Sequence, residues 1–241
     1  MELHAIQHSV RLAARPLSEA VLELAAPTRC AGCDAYGPLL CPRCAAEVWQ
    51  HESALACSRC GAPYGWLVCT ECWDRTLPFA CAVTLGSLEG PLARAVVLHK
   101  DQNERRLGPA LGAALGASFV LAHPEWGRGS AAVTWVPPSA VALRRRDFDH
   151  GLSIARGVGA ALGSAPVALL AHRGSRDNRA LGRMGRSKNV ERAFEVVSAP
   201  PERIVLVDDV ITTGATAAAC AELLLESGAD EVALAAIARA W

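Results

Sequence analysis

A run of thirteen residues, Ile-Val-Leu-Val-Asp-Asp-Val-Ile-Thr-Thr-Gly-Ala-Thr at 204–216, constrains the fold of this chain more than any other segment. Four branched apolar residues in succession predict a buried strand, as in a parallel sheet covered on both faces. Asp208 and Asp209 follow at the strand's carboxyl end, then a loop, then a helix expected over 217–226.

That order suits one kind of ligand. Two carboxylates at the carboxyl edge of a parallel sheet, the usual ligand edge, can accept hydrogen bonds from vicinal ribose hydroxyls. Thr212, Thr213, Gly214 and Thr216 bring hydroxyls and unobstructed amides to the amino end of the helix, a cradle for a 5′-phosphate. The plainer alternative is a Thr213 helix cap beside a solvated strand end. The coincidence of cap, glycine and acidic pair in one register favours the ligand site.

The surrounding sequence supplies the rest of such a sheet. From about Ala132 onward, β-rich runs at 133–136, 167–170, 204–207 and 232–237 alternate with a helical run at 151–162, the βαβ signature of a parallel sheet. The first run ends at Pro137-Pro138.

The amino-terminal third has a different texture. Eight of the ten cysteines form four CxxC steps: Cys30 and Cys33, Cys41 and Cys44, Cys57 and Cys60, Cys69 and Cys72. Each step can aim two sulfurs at one tetrahedral ion, so eight thiolates fill two zinc shells. Spacing permits pairing of neighbouring steps or an interleaved arrangement. Disulfides, an iron–sulfur cluster and a thioredoxin-like redox role for one step are the competing uses. No His or carboxylate interrupts the shells, so the zinc is expected to be structural. Cys81 and Cys220 stand apart and are expected to be ordinary buried thiols. Trp49, Trp66 and Trp73 lie in or beside the knuckles, where burial against the loops is the expected use.

Charge and hydropathy bound the partners. About half of the 241 residues are apolar (51%), but no apolar run reaches the roughly 20 residues of a membrane-crossing helix. Arg11, Arg15, Glu19 and Glu23 break up the first segment, so 1–26 is expected to form an amphipathic helix and not an export signal. These readings predict a soluble, cytoplasmic protein with no membrane span. Lys plus Arg (24) equals Asp plus Glu (24), so the chain carries no net field for a polyanion. One local span is basic: Arg173, Arg176, Arg179, Arg183, Arg186, Lys188 and Arg192 face only Asp177 and Glu191.

The apolar strand, Asp-Asp, two residues and Thr-Thr-Gly together resemble the phosphoribosyl-pyrophosphate (PRPP) motif of the type I phosphoribosyltransferases. An amino-terminal helix, CxxC knuckles, a Val-Pro segment followed by arginines, and Arg-x-x-Asn before Ala-Phe make the chain similar to the competence-associated ComF proteins over nearly its whole length. The resemblance implies an α/β fold: a type I phosphoribosyltransferase-like parallel sheet flanked by helices, with a small zinc-ribbon-like module before it. The implied division is a helix at 1–26, a four-cysteine type of zinc-binding module at 27–80 and a phosphoribosyltransferase-like domain at 81–241.

It also implies a site. Asp208 and Asp209 would act on the ribose, and Val210, Ile211, Thr212, Thr213, Gly214, Ala215 and Thr216 would complete the PRPP contacts. The pyrophosphate loop corresponds to 136–139, giving Pro137, Pro138 and Ser139, followed by Arg144, Arg145 and Arg146. The flexible loop of the family is similar to 178–194, with Leu181, Arg183, Arg186 and Asn189 at its recurring positions. Lys100, in His99-Lys100-Asp101, is a further pyrophosphate contact. The chain departs from the family where Arg146-Asp147-Phe148-Asp149-His150 replaces the common Arg-Gly-Phe-Asn-Gln, which leaves the nucleophile open.

The implied activity is transfer or binding of a 5-phosphoribosyl group with Mg²⁺ and release of pyrophosphate, the acceptor being an unidentified base or amine. A PRPP sensor without turnover is one alternative. A single-stranded-DNA-handling protein of competence and DNA uptake, acting with other competence proteins, is another. A homo-oligomer is compatible with each.

Overall fold

The computed structural model describes residues 27–48, 55–63, 68–127, 129–173 and 193–240. The helix expected at 1–26, Trp49, Trp66 and most of the basic span, with Arg183 and Arg186, lie outside the described residues.

Along the chain come α1 (Pro42–Val48), a 3-10 turn (Thr70–Cys72), β1 (Ala82–Ser87), α2 (Gly90–Asp101), α3 (Leu107–Ala122), a second 3-10 turn (Pro124–Trp126) and β2 (Ala132–Trp135). Then follow α4 (Ala140–Arg146), α5 (His150–Leu162), β3 (Leu170–His172), β4 (Phe194–Val196), β5 (Arg203–Ile211), α6 (Ala215–Glu226) and β6 (Glu231–Arg239). The parallel alternation thus begins at Ala82, well before Ala132.

β1, β6, β5 and β2 form one sheet in that order, with every neighbouring pair parallel. The two central strands are apolar because helices cover both faces. Strand alternation sends Val205 and Val207 to the face under α2, α3 and α5, and Ile204 and Leu206 to the face under α6. All four are fully buried.

On the first face α3 and α5 meet without intervening side chains. A Cβ added to Gly112 would stand 2.1 Å from the Ile154 carbonyl oxygen, so only glycine allows the two backbones this close.

Both sheet edges are capped. At β1, Ala82 N–H donates to Ser58 O (3.1 Å) and the Thr84 hydroxyl donates to Gly61 O (2.6 Å), so the cysteine-rich segment lies along that strand. At β2, Pro166 makes an isolated parallel bridge with Val133, and Val167 N–H donates to Val133 O (2.8 Å).

The run at 167–170 therefore departs from expectation. It follows β2 only briefly and then leaves the main sheet, and β3 pairs antiparallel with β4 in a separate two-stranded ribbon.

β5 outruns its neighbour. The β2 pairing ends at Trp135 opposite Val207, with Val136 N–H still donating to Val207 O (2.9 Å). β5 continues to Ile211, held on its other side by β6 alone. The chain after β2 turns away through Pro137 and Pro138, and a cleft opens beside the unpaired half of β5.

Candidate functional site

The two groups of four cysteines are built alike. In each, the first cysteine's N–H donates to a carbonyl five residues on, Cys30 to Ala35 and Cys57 to Ala62, both at 2.8 Å. The residue after the second cysteine is left-handed in both, Asp34 at φ 65° and Gly61 at φ 69°. Cys41 N–H then donates to Cys30 Sγ (3.2 Å) and Cys69 N–H to Cys57 Sγ (3.3 Å).

Burial pushes the Cys30 and Cys57 thiols up, but these backbone N–H groups pull them down further, to about 6 and about 7. Amides aimed at these two sulfurs thus favour their thiolates, the form that binds metal, whereas burial pushes the Cys44, Cys60 and Cys72 thiols up.

The sulfurs of Cys30, Cys33, Cys41 and Cys44 lie within 4.8 Å of one another, and so do those of Cys57, Cys60, Cys69 and Cys72. A tetrahedron of zinc–sulfur bonds of about 2.3 Å has edges of about 3.8 Å. The sulfurs of Cys33 and Cys41 are 3.8 Å apart, and those of Cys60 and Cys69 3.7 Å. Neighbouring steps pair, the interleaved arrangement does not occur, and each cluster fits a structural zinc ion. None of the ten cysteines is in a disulfide. Cys81 and Cys220 are buried, and burial pushes both thiols up, Cys81 to about 12. Trp73, expected to pack on the knuckles, is instead 78% exposed.

The second candidate region is the cleft beside β5, with a volume of about 490 Å³. It is lined by Asp208 and Asp209, by Val210, Ile211, Thr212, Gly214, Ala215 and Thr216, by Pro137, Pro138 and Ser139, and by Lys100. The sequence-derived set is therefore largely gathered around one hollow.

The two aspartates reach it from opposite sides of the sheet. By the parity of β5, Asp209 shares the face of Val205 and Val207, under α2 and α5. There it meets Lys100 of α2 in an ion pair and His150 Nε2 of α5 at 3.2 Å. Asp208 falls on the α6 face. One oxygen of each is satisfied locally: Asp209 N–H donates to Asp208 Oδ1 (2.8 Å) and Val210 N–H to Asp209 Oδ1 (2.7 Å).

These surroundings drive the two acids apart. Burial, then the charge of Asp209, pushes Asp208 up to about 8. Burial also acts to raise Asp209, but the His150 hydrogen bond and the Lys100 charge outweigh it and hold this carboxyl well below the usual range. The two carboxyls are thus pushed in opposite directions, Asp208 toward its protonated form and Asp209 toward its ionised form.

At the turn, Gly214 adopts φ 76° just before α6, and the Thr213 hydroxyl accepts a hydrogen bond from Ala215 N–H (3.3 Å). Thr213 is occupied in this cap and does not line the cleft. The amino end of α6 faces the hollow through Ala215, Thr216 and Ala217.

The arginine cluster divides by helical geometry. Ala142 and Arg146, four residues apart on α4, line the cleft, whereas Arg144 between them is exposed and does not. The Arg146 side chain is 11% exposed and reaches Asp101 at 3.5 Å; Arg145 reaches the same carboxylate at 3.2 Å. His150, His172 and Phe194 also line the cleft, and the motif reading missed their part in it. His150 alone carried a signal, as the imidazole at the family's usual amide position. Phe194 and His172 face each other across the β3–β4 ribbon with ring centroids 5.2 Å apart, a proximity only the pairing reveals.

No protein-family model matches the chain. It is similar to the DNA utilization protein YhgH of Salmonella typhi, 28% identical over 201 residues that span 80% of this chain and 87% of that protein. The protein of the same name from Salmonella typhimurium (strain LT2) aligns with the same identity and coverage. Among solved structures, that of the allosteric regulatory enzyme of purine biosynthesis matches 53% of this chain with a TM-score of 0.37 and 25% sequence identity. The match spans only 25% of that structure's chain.

Proposed function

We propose that the cleft beside β5 binds PRPP and that the protein is a phosphoribosyltransferase-like member of the ComF type, with an unidentified base or amine as acceptor. One observation carries the reading: the acidic pair and Thr212, Gly214, Ala215 and Thr216 of the following turn, which the motif requires to act on one sugar phosphate, line the same hollow.

In this reading Asp208 and Asp209 hold the ribose hydroxyls, and the amides at the start of α6 hold the 5′-phosphate, where a helix terminus favours an anion. The diphosphate lies toward Lys100, Arg146 and the 137–139 segment. The C1–O bond to diphosphate breaks as the acceptor's lone pair forms the new bond to C1. The chain contributes by positioning and by opposing developing charge, and needs no covalent nucleophile.

Asp209 is not a free ligand for a hydrated Mg²⁺, since Lys100 and His150 already occupy it, and burial together with the charge of Asp209 pushes Asp208 away from its ionised form. A magnesium ion would come with the substrate rather than be held by these side chains, and it would supply charge neutralisation of the leaving group.

We place residues 27–80 in a structural zinc module and 81–241 in the ligand-binding domain, in the cytoplasm. The free cysteines support that compartment, and no helix among the described residues is long and apolar enough to cross a membrane. The test is calorimetric titration with Mg²⁺-PRPP of the wild type and of Asp208→Asn/Asp209→Asn. Equal binding by the two proteins refutes the assigned sugar contacts.

A second reading rests on the printed name of the relatives and on Trp73, an exposed aromatic beside the second cysteine cluster. In it the protein handles single-stranded DNA, with Trp73 stacking on a base. Oligonucleotide affinity that falls steeply with salt and drops in Trp73→Ala supports it; weak binding indifferent to salt rejects it.

A further inference from the structure

Arg239, the last residue of β6, is 3% exposed. Its Nη2 lies 2.9 Å from Glu71 Oε2, and its Nη1 donates to the carbonyl oxygen of Ile211 at 3.4 Å. Both partners have significant positions. Glu71 sits in the 3-10 turn Thr70–Cys72, between Cys69 and Cys72 of the second cluster. Ile211 ends β5, and its carbonyl, which also accepts Ala240 N–H at 2.8 Å, is the last fixed point before the turn at 212–214.

We propose that Arg239 is a positioning residue that ties the anion-binding turn to the second four-cysteine cluster, so that metal in that cluster, acting through Glu71, sets the geometry of the ligand site. A buried guanidinium is costly unless its charge is matched. Here a carboxylate whose own place is fixed by two flanking cysteines contributes to the match. When the turn that carries Glu71 loosens, the guanidinium follows its partner toward water and releases Ile211.

The first cluster lacks this link. Arg43, its counterpart between Cys41 and Cys44, is exposed to solvent. The two clusters, alike in sulfur geometry, therefore differ in consequence: among the described residues, the buried-arginine link to the turn runs from the second cluster.

The functional consequence rests on the PRPP reading, but the anchoring does not. Arg239→Met leaves the Ile211 carbonyl without its side-chain donor inside the core and is a poor test because the fold itself is at risk. Glu71 is half-exposed, so Glu71→Gln keeps the fold and all eight sulfurs while removing the countercharge.

The full-length, zinc-loaded wild type, Glu71→Gln and Arg43→Ala are compared by metal content, by amide hydrogen exchange over 209–217 and at Ala240, and by affinity for ribose 5-phosphate. With zinc content equal in all three, Glu71→Gln is expected to exchange at least about fivefold faster there and to lose affinity by a similar factor, with Arg43→Ala unchanged. Unaltered exchange in Glu71→Gln overturns the proposal, and so does equal acceleration in Arg43→Ala. Faster exchange in Glu71→Gln while no protein, wild type included, binds ribose 5-phosphate upholds the anchor and rejects the PRPP reading.

Discussion

Lys100, at the carboxyl end of α2, is ion-paired with Asp209 of β5 across the wall of the cleft. This contact spans two elements that the sheet order keeps apart, since α2 follows the edge strand β1 while β5 is central. With His150 Nε2 on the same oxygen, Asp209 is a compensated charge and not a free carboxylate.

Removing the cation should therefore destabilise the empty protein. Breaking a fully buried pair costs about 3–5 kcal/mol. The Lys100 side chain is 30% exposed and His150 remains, so Lys100→Met is expected to cost less, about 2 kcal/mol at pH 7. Urea unfolding measures it, and a midpoint equal to wild type rejects the pairing. Asp209→Asn combined with Lys100→Met should cost less than the sum of the two, because neither variant then leaves a charge stranded.

The acidic pair gives a pH dependence of definite sign. Asp208 is raised to about 8 from an ordinary value near 3.8, so the folded state holds a proton that the unfolded state has released throughout that interval. Its contribution to stability is complete at lower pH and is lost as pH rises toward 8, by at most about 1.4 kcal/mol per pH unit. Asp209, depressed, acts oppositely: its contribution is present above the ordinary carboxylate value and is lost in acid. Stability measured from pH 5 to 8 should fall more steeply in wild type than in Asp208→Asn, which has no proton to release. Parallel curves refute the assignment.

Much of this site could be read along the chain because its parts are contiguous. The apolar strand, acidic pair and turn lie within one segment, and local chemistry dictates each of them. What the sequence concealed is what depends on packing between segments. Four CxxC steps are equivalent in one dimension, so only the fold decides that neighbours pair. Arg144 and Arg146 are equally cationic, but the phase of α4 turns Arg146 into the cleft and Arg144 to solvent. Trp73 looked like core because large aromatics commonly are, but the fold leaves it in solvent, 78% exposed. The run at 167–170 has strand character, yet β2 offers its outer edge for too short a stretch to hold it. The split of Asp208 and Asp209 between faces was legible from parity, but the partners waiting on each face were not.

The two clusters should respond to chelation as structural zinc sites. Among the described residues around Cys57, Cys60, Cys69 and Cys72, the buried apolar ones are the cysteines themselves and Ala62, with Val68 and Leu77 packed alongside. Four thiolates gathered this closely repel one another once ionised, so the ion is expected to hold the segment in shape. Elemental analysis is expected to give two zinc ions per chain, and one after Cys60→Ser. Stripping the metal should expose 55–75 to protease while the far-ultraviolet dichroism of the parallel sheet persists. A metal-free chain as resistant there as the native protein contradicts a structural role.

Gly214 offers the sharpest separation of binding from folding. Its φ of 76° is one that residues with a Cβ reach only at a cost of roughly 1–2 kcal/mol. Space is not the obstacle, since among the described residues a Cβ there would meet the Ile211 Cγ2 atom at an ordinary 3.7 Å. Gly214→Ala should therefore fold, with a small loss in melting temperature, because β5 and α6 keep their own buried contacts. The turn can relieve the strain only by rotating the peptides at the amino end of α6, which misaims the amides that would face a phosphate. Ribose 5-phosphate affinity is expected to fall roughly tenfold, about 1.4 kcal/mol. If the variant loses stability but binds as tightly as wild type, the phosphate is not held by this turn.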